Sequence, residues 1–357
     1  MNRVLLTVSG VIDPQLAAQI AAGRRPRADY LELARAFGAD LIDYAHARRD
    51  GGRLGKLIER VAGPNVLLAW QCFKQRRQYD VVFTDGEQVG MPLALLLKLA
   101  RFPRVRHLMI VHILSVKKKM LFFDLLGIHS HIDTFFVYST WQKRFIERRW
   151  REPQKRVVFT PFMFDAEFFS LAHVTPQRRQ MICAVGLEFR DYPTLIEAVR
   201  GLDVELIIAA ASPWSKRPDS TADQAIPANV TVRRFSQFEL RQLYADSQFV
   251  VMPLYNVDFQ AGVTAILEAM AMERAVICSQ TPGQTDVIVD GETGVYTPVG
   301  DPAALRAAIQ GLLDDPQAAA RLGAQGRTLI ENRMSLDRYV ERLKQSLQAT
   351  LSPRLNG

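Results

Sequence analysis

The sequence predicts an α/β protein of two Rossmann-like domains in tandem, with parallel sheets facing a central cleft. Three observations carry this. Apolar runs of strand type alternate with stretches of helical spacing along the whole chain. At 357 residues the chain is long enough for two domains of ordinary size, each burying its own core. The alternation breaks near Pro161–Pro176, where prolines, charges and aromatics replace the regular pattern, and then restarts.

The first domain is set at residues 1–162. Arg3–Val8 is a short apolar strand, and Asp29–Phe37 has Tyr30, Leu33, Ala34 and Phe37 on one helical face. Tyr79–Thr84 is a strand ending at Asp85–Gly86, and Pro92–Ala100 is a helix with proline at its start. Val105–Leu114 and Thr134–Tyr138 are further strands, the second followed by a helix through Trp150 that Ser139 or Thr140 caps. The second domain is set at residues 163–334. Its strands are Gln180–Val185, Val204–Ala209, Val230–Arg234, Phe249–Met252 and Ala275–Cys278. Its helices are Tyr192–Val199, Glu239–Asp246, Thr264–Met272, Asp301–Leu313 and Gln317–Asn332. A last helix in 335–357 is expected to pack back on the first domain.

Charge divides the halves. Residues 1–160 carry 27 basic and 14 acidic side chains, a net of +13, whereas the whole chain carries +8. The remainder is net −5, so the two modules are expected to meet different partners. The three cysteines, Cys72, Cys183 and Cys278, are far apart and form no CxxC pair, which speaks against a disulfide framework or zinc site and for a reducing compartment. The N-terminal stretch lacks the features of a signal peptide and reads as a strand. No apolar stretch reaches the roughly 18–20 residues that span a bilayer.

In such sheets ligands bind beyond the carboxyl ends of strands, at helix N-termini. That directs attention to Ser9–Gly10, Asp85–Glu87, His112, Ser139, Gly186–Asp191 and Asp258–Thr264. The most informative stretch is Asp258–Gly294, DFQAGVTAILEAMAMERAVICSQTPGQTDVIVDGETG. Its loop Gln260–Thr264 opens the helix that contains Glu268. Gly262 lets backbone approach a ligand, and the first-turn N–H groups with the helix dipole suit a diphosphate. A carboxylate such as Glu268 can accept two hydrogen bonds from a ribose diol.

This segment resembles the retaining glycosyltransferases of family 4, which have the GT-B fold. Their signature is Glu, seven residues, Glu, then Ala-Met-Ala; here the second Glu is Glu268, followed by Ala269–Met270–Ala271, and the first position holds Gln260. Pro282–Leu305, Ala184–Val199 and Pro161–Phe169 resemble further stretches of the same family. The resemblance implies a nucleotide-sugar donor, most commonly a UDP-sugar, bound mainly by the second domain. By position, Glu268 would bind ribose, Gly262, Val263 and Thr264 the diphosphate, and Gln260 a sugar hydroxyl. Arg190 would stand in for the family's diphosphate-binding Lys, offsetting charge on the leaving phosphate. Gly10 lies where a glycine loop faces the phosphates, and His112 matches a His near sugar and acceptor. His112, Gln260 and Arg190 are thus the expected catalytic residues.

Three departures stand out. Gln260 replaces an acid; Leu187–Glu188 stand where the family carries an Arg, with Lys216 or Arg217 as substitutes; and the N-terminal loop keeps one glycine. No metal or other cofactor is expected. Asp85-Gly-Glu87 and Asp290-Gly-Glu292 resemble metal-binding DxD motifs only superficially, and His129-Ser-His131 is read as alternate spacing without nearby acids. The implied reaction is glycosyl transfer with retention, through an oxocarbenium-like transition state. A noncatalytic protein binding a nucleotide-sugar or partner is the alternative, which Gln260 favours; an epimerase or inverting transferase is a third reading, against which Glu268-Ala-Met-Ala argues. The acceptor side is basic, with clusters at Arg24–Arg27, Lys117–Lys119 and Arg148–Arg151. Lys117, Lys118 and Lys119 precede the apolar MLFFDLLGI, the pattern of a peripheral anchor on anionic lipid. The expected location is cytoplasmic, peripheral on the inner membrane face, with a membrane-borne acceptor and no nucleic acid.

Overall fold

A computed structural model describes residues 3–100, 105–177, 180–210 and 226–351. Lys216 and Arg217 lie outside the described residues. The chain divides into two compact units. The first comprises Met1–Ala18, Arg27–Thr160 and Tyr339–Gly357, and the second Gln19–Pro26 and Pro161–Arg338.

The first unit contains strands β1 (Val4–Thr7), β2 (Asp40–Ile42), β3 (Val81–Thr84), β4 (Arg106–Val111), β5 (Thr134–Val137) and β6 (Val157–Phe159). They form one sheet in the order β2-β1-β3-β4-β5-β6, every pair parallel. All residues of β1, β3 and β5 are buried, which explains why these strands read as continuous apolar runs: helices cover both faces of a parallel sheet. Ser139 is the N-cap of helix Thr140–Trp150, its hydroxyl accepting the Gln142 N–H.

The second unit contains β7 (Met181–Val185), β8 (Glu205–Ala209), β9 (Val230–Arg233), β10 (Phe249–Met252), β11 (Ala275–Ser279) and β12 (Val295–Thr297). Their order is β12-β11-β10-β7-β8-β9, again all parallel. Asp191, Ser236, Asp301 and Asp315 cap the helices that follow them, Ser236 with Glu239 in a capping box.

Each sheet reverses strand order once, between β1 and β3 in the first unit and between β7 and β10 in the second. Those reversals are where ligands enter folds of this type.

The sequence pattern left 38–78 unassigned, and this region forms β2 and two helices, Tyr44–Ala62 and Pro64–Gln75. The first carries a non-helical Gly52, with φ 58 and ψ −152, which breaks its periodicity. The helix after β3 starts at Glu87 rather than Pro92. Proline is here inside the helix, so the rule that places it in the first turn sets the start five residues late.

Candidate functional site

The second unit's reversal brings two loops together. After β7, Gly186 turns at φ 106 and the chain runs through Phe189 to Arg190. After β10, the chain runs to Gly262, which turns at φ 77 and caps helix Val263–Ala271. Arg190 joins them. Its guanidinium is buried and donates from Nε to the Val185 carbonyl (3.0 Å) and from Nη1 to the Glu188 carbonyl (2.8 Å). A Cβ at Gly186 would lie 2.4 Å from Arg190 Nη2, and one at Gly262 would lie 3.4 Å from Arg190 Cζ and 2.8 Å from Met252 Sδ. Both glycines are therefore required by φ, and a side chain at either would also crowd Arg190 or Met252. The two loops are also zipped by backbone, Asp191 N to Pro253 O (3.0 Å) and Tyr255 N to Phe189 O (3.1 Å). Arg190 is thus a desolvated cation, its pKa lowered by burial.

Glu268 lies within the helix that Gly262 opens and is 5% exposed. The Tyr244 hydroxyl donates to its Oε2 at 2.6 Å. Burial pushes its carboxyl up to about 7, while the Tyr244 hydrogen bond and the Arg190 charge pull the other way. Tyr244 is itself raised by burial and by Glu268, so it stays a donor. The helix start has no side-chain cap, so no side chain competes for the first-turn N–H groups of Val263 and Thr264. Val263 is buried and Thr264 is exposed.

The loop that opens the helix is held from below. Gly283 packs so closely that a Cβ would lie 2.3 Å from Phe259 backbone atoms. The buried Gln284 side chain donates from Nε2 to the Ala261 carbonyl at 2.8 Å, and Phe189 meets Phe259 edge-on at 4.9 Å. Gln260 Oε1, Thr281 Oγ1 and Gln284 Oε1 are buried without a hydrogen-bond partner. Unsatisfied buried polar atoms are costly, and here they gather in the sequence around one loop. Tyr244, Thr281 and Gln284 escaped sequence reasoning: Tyr244 reads as a core aromatic of its helix, and nothing in Thr-Pro-Gly-Gln announces a buried amide.

The first unit's reversal is acidic. Asp85 follows β3 and accepts from Thr7 Oγ1 (2.6 Å) and Ser9 Oγ (2.8 Å), and from the Ser9 N–H. Burial raises its carboxyl despite these donors. Gly10 has no atom within 4 Å of a Cβ built on it, so its surroundings are open. His112 is exposed; its Nε2 lies 3.0 Å from the Asp85 carbonyl and its ring 5.5 Å from that of Tyr138. The buried Glu87 carboxylate accepts the N–H groups of His112 (2.9 Å) and Ile113 (3.0 Å) and the Lys119 ammonium (2.6 Å). Burial raises its pKa, but His112 and Lys119 more than compensate and hold it below the usual range. Asp85 and Glu87 thus turn to different partners. Two sequence readings need correction. Lys119 is spent on Glu87, leaving Lys117 and Lys118 as the exposed lysines. His129 does have an acid beside it, Glu152 at 2.6 Å. Among the described residues no three His, Cys, Asp or Glu side chains gather as a metal site, and the three cysteines are free and buried.

Residues 184–315 match the model of the family "Glycosyl transferases group 1". A capsular polysaccharide biosynthesis glycosyltransferase, CapM of Staphylococcus aureus, is 35% identical over 92 residues, 26% of this chain and 23% of that protein. An alpha-D-kanosaminyltransferase of Streptomyces kanamyceticus is 28% identical over 141 residues, 38% of this chain and 35% of that protein. The chain thus spans at most about a third of the length of these relatives. In fold, Anabaena HepE in complex with UDP-glucose superposes with a TM-score of 0.71 at 12% identity, over 98% of this chain and 100% of that one. The chain has the GT-B fold, and the match to the group 1 glycosyl transferases lies in residues 184–315, within its second unit.

Proposed function

We propose that this protein is a retaining glycosyltransferase that moves a sugar from a nucleotide-sugar, a UDP-sugar first among them, to a membrane-borne acceptor, without a metal ion. The observation that carries the reading is the junction of Arg190, Glu268 and the uncapped start of helix Val263–Ala271 at the β7/β10 reversal. A diphosphate against the N–H groups of Val263 and Thr264 would meet the positive end of the helix dipole. Arg190 adds a fixed charge that needs no reorganisation as the leaving group becomes more negative. Glu268, held by Tyr244, is placed to accept hydroxyl groups of a ribose.

Gln260, beside Ala261 and Gly262, carries a buried Oε1 that lacks a partner, which suits a hydroxyl donor such as the transferred sugar. As an amide it cannot serve as a nucleophile, which agrees with same-face attack assisted by the leaving phosphate. Positioning and electrostatics then supply the rate. In the first unit His112 is the group we assign to sugar and acceptor, with its backbone N–H fixed by Glu87 and its ring by the Asp85 carbonyl. Gly10 is assigned to phosphate contact.

The membrane-borne acceptor is supported by helix Lys117–Leu126. Leu121, Phe122 and Leu125 are exposed on it beside Lys117 and Lys118. No helix among the described residues is long and apolar enough to cross a membrane, so the proposed association is peripheral. The test is hydrolysis and transfer of purified UDP-sugars, with product anomers read by NMR. Hydrolysis or transfer that Glu268→Ala reduces supports the reading. If no donor is turned over and Glu268→Ala leaves UDP binding unchanged, the noncatalytic alternative stands in its place.

A further inference from the structure

A second surface of the first unit has the build of a membrane contact. Helix Tyr44–Ala62 is broken by Gly52, so residues 53–62 form a segment with its own direction, closed by Gly63 at φ 86. Its inner side is packed: Gly55 is buried, and a Cβ there would lie 3.2 Å from Leu67 Cδ1. Gly51 makes the same close approach to Gln71 and Leu67. The inward face is therefore already satisfied, yet Leu54, Leu57 and Val61 remain 53%, 57% and 78% exposed. Their spacing, i, i+3 and i+7, puts them in one stripe along the helix.

Arg53, Lys56 and Arg60 repeat that spacing one residue earlier and are all exposed. The two stripes run side by side, about 100° apart around the axis. Glu59 is the segment's acidic residue, and it is held by Arg48 at 2.8 Å. Among the described residues no acidic side chain pairs with Arg53, Lys56 or Arg60. An apolar stripe inviting burial beside an unneutralised basic stripe is what an anionic lipid surface complements. Apolar side chains enter the acyl boundary, and long basic side chains reach up to phosphate. Each such cation adds roughly fivefold to binding near an anionic leaflet.

We propose that residues 53–61 dock the first unit onto an anionic membrane surface. The proposal deepens the membrane-borne acceptor reading by naming a lipid contact distinct from helix Lys117–Leu126, and it is tested without any donor or acceptor. The full chain is sedimented with phosphatidylcholine vesicles with and without about 30% phosphatidylglycerol. The wild type should bind the anionic vesicles and lose about tenfold in affinity on Leu54→Ser/Leu57→Ser/Val61→Ser, with its melting temperature and UDP binding retained. Arg53→Gln/Lys56→Gln/Arg60→Gln should weaken the preference for anionic lipid by at least about tenfold. In a separate variant, Leu57→Trp emission should shift blue on anionic vesicles and not on neutral ones. Wild-type protein that ignores anionic vesicles overturns the proposal. So does a serine variant that binds like wild type while Leu121→Ser/Phe122→Ser/Leu125→Ser does not. Vesicle-independent self-association through Leu54, Leu57 and Val61, with no lipid binding, overturns it in favour of a second copy as occupant. Absence of UDP-sugar turnover and of UDP binding, with vesicle binding intact, would sink the donor reading and leave this one standing.

Discussion

The strand-order reversals of the two units share a topology and have opposite charge. In the first, a carboxylate, Asp85, ties the loop after β3 to the loop after β1 through Thr7 and Ser9. In the second, a guanidinium, Arg190, lies against both Gly186 and Gly262 and braces the loop after β7. Each local charge is the reverse of its half's surplus, since residues 1–160 are net +13 and the remainder net −5. On the proposed reading, anion binding rests on one buried cation and one helix start rather than on the sum of surface charges. Surface charge is screened within about 8–10 Å, whereas a desolvated charge is not.

The sharpest way to break the comparison is to remove the cation. Arg190→Met leaves the Val185 and Glu188 carbonyls without their donors and takes a positive charge from beside Glu268. It should cost about 3 kcal/mol in urea unfolding and lower UDP affinity about 100-fold by calorimetry. An unchanged UDP affinity would mean that the cation is structural only. Gly262→Ala comes next, at about 2 kcal/mol, because φ 77 disfavours a side chain and Met252 Sδ sits 2.8 Å from the new Cβ.

Glu268 supplies a pH test with a definite sign. Its carboxyl titrates near 7 when folded, against 4.5 ordinarily. Between those values the folded state binds more protons than the unfolded one, so stability falls as pH rises from about 4.5 to 7 and levels off above. The fall is on the order of 3 kcal/mol, and Glu268→Gln should flatten it. Donor affinity should move the other way in the wild type, rising through pH 7 as the carboxylate forms. The smallest effect is expected in the first unit. Asp85→Asn keeps the shape of the clamp and should cost about 1 kcal/mol, with UDP affinity within about twofold of wild type. A loss as large as that of Arg190→Met would erase the distinction between the two reversals.

Much of this was legible in the sequence where pattern and function coincide. The helices 29–37 and 192–199 and the strand 249–252 were set at their observed bounds, since Gly38 ends the first, Asp191 caps the second and Pro253 stops the third. The helix that carries Glu268 was expected at Thr264–Met272 and runs from Val263 to Ala271, one residue earlier, with Gly262 as its N-cap. What stayed hidden depends on contacts distant in the chain. Tyr244 reaches Glu268 across 24 residues and Gln284 reaches Ala261 across 23, and no local rule marks either. Lys119 looked like one of three surface lysines until Glu87, 32 residues away, claimed it. The helix Tyr44–Ala62 was missed because Gly51, Gly52 and Gly55 look like breakers, whereas Gly51 and Gly55 serve close packing and Gly52 alone breaks the helix.

The most direct measurement is a crystal structure of the protein with UDP bound. The account predicts diphosphate oxygens within hydrogen-bond distance of the Val263 and Thr264 N–H groups, with the ribose hydroxyls on Glu268. A diphosphate held instead by basic clusters of the first unit, with the start of helix Val263–Ala271 unoccupied, would contradict it.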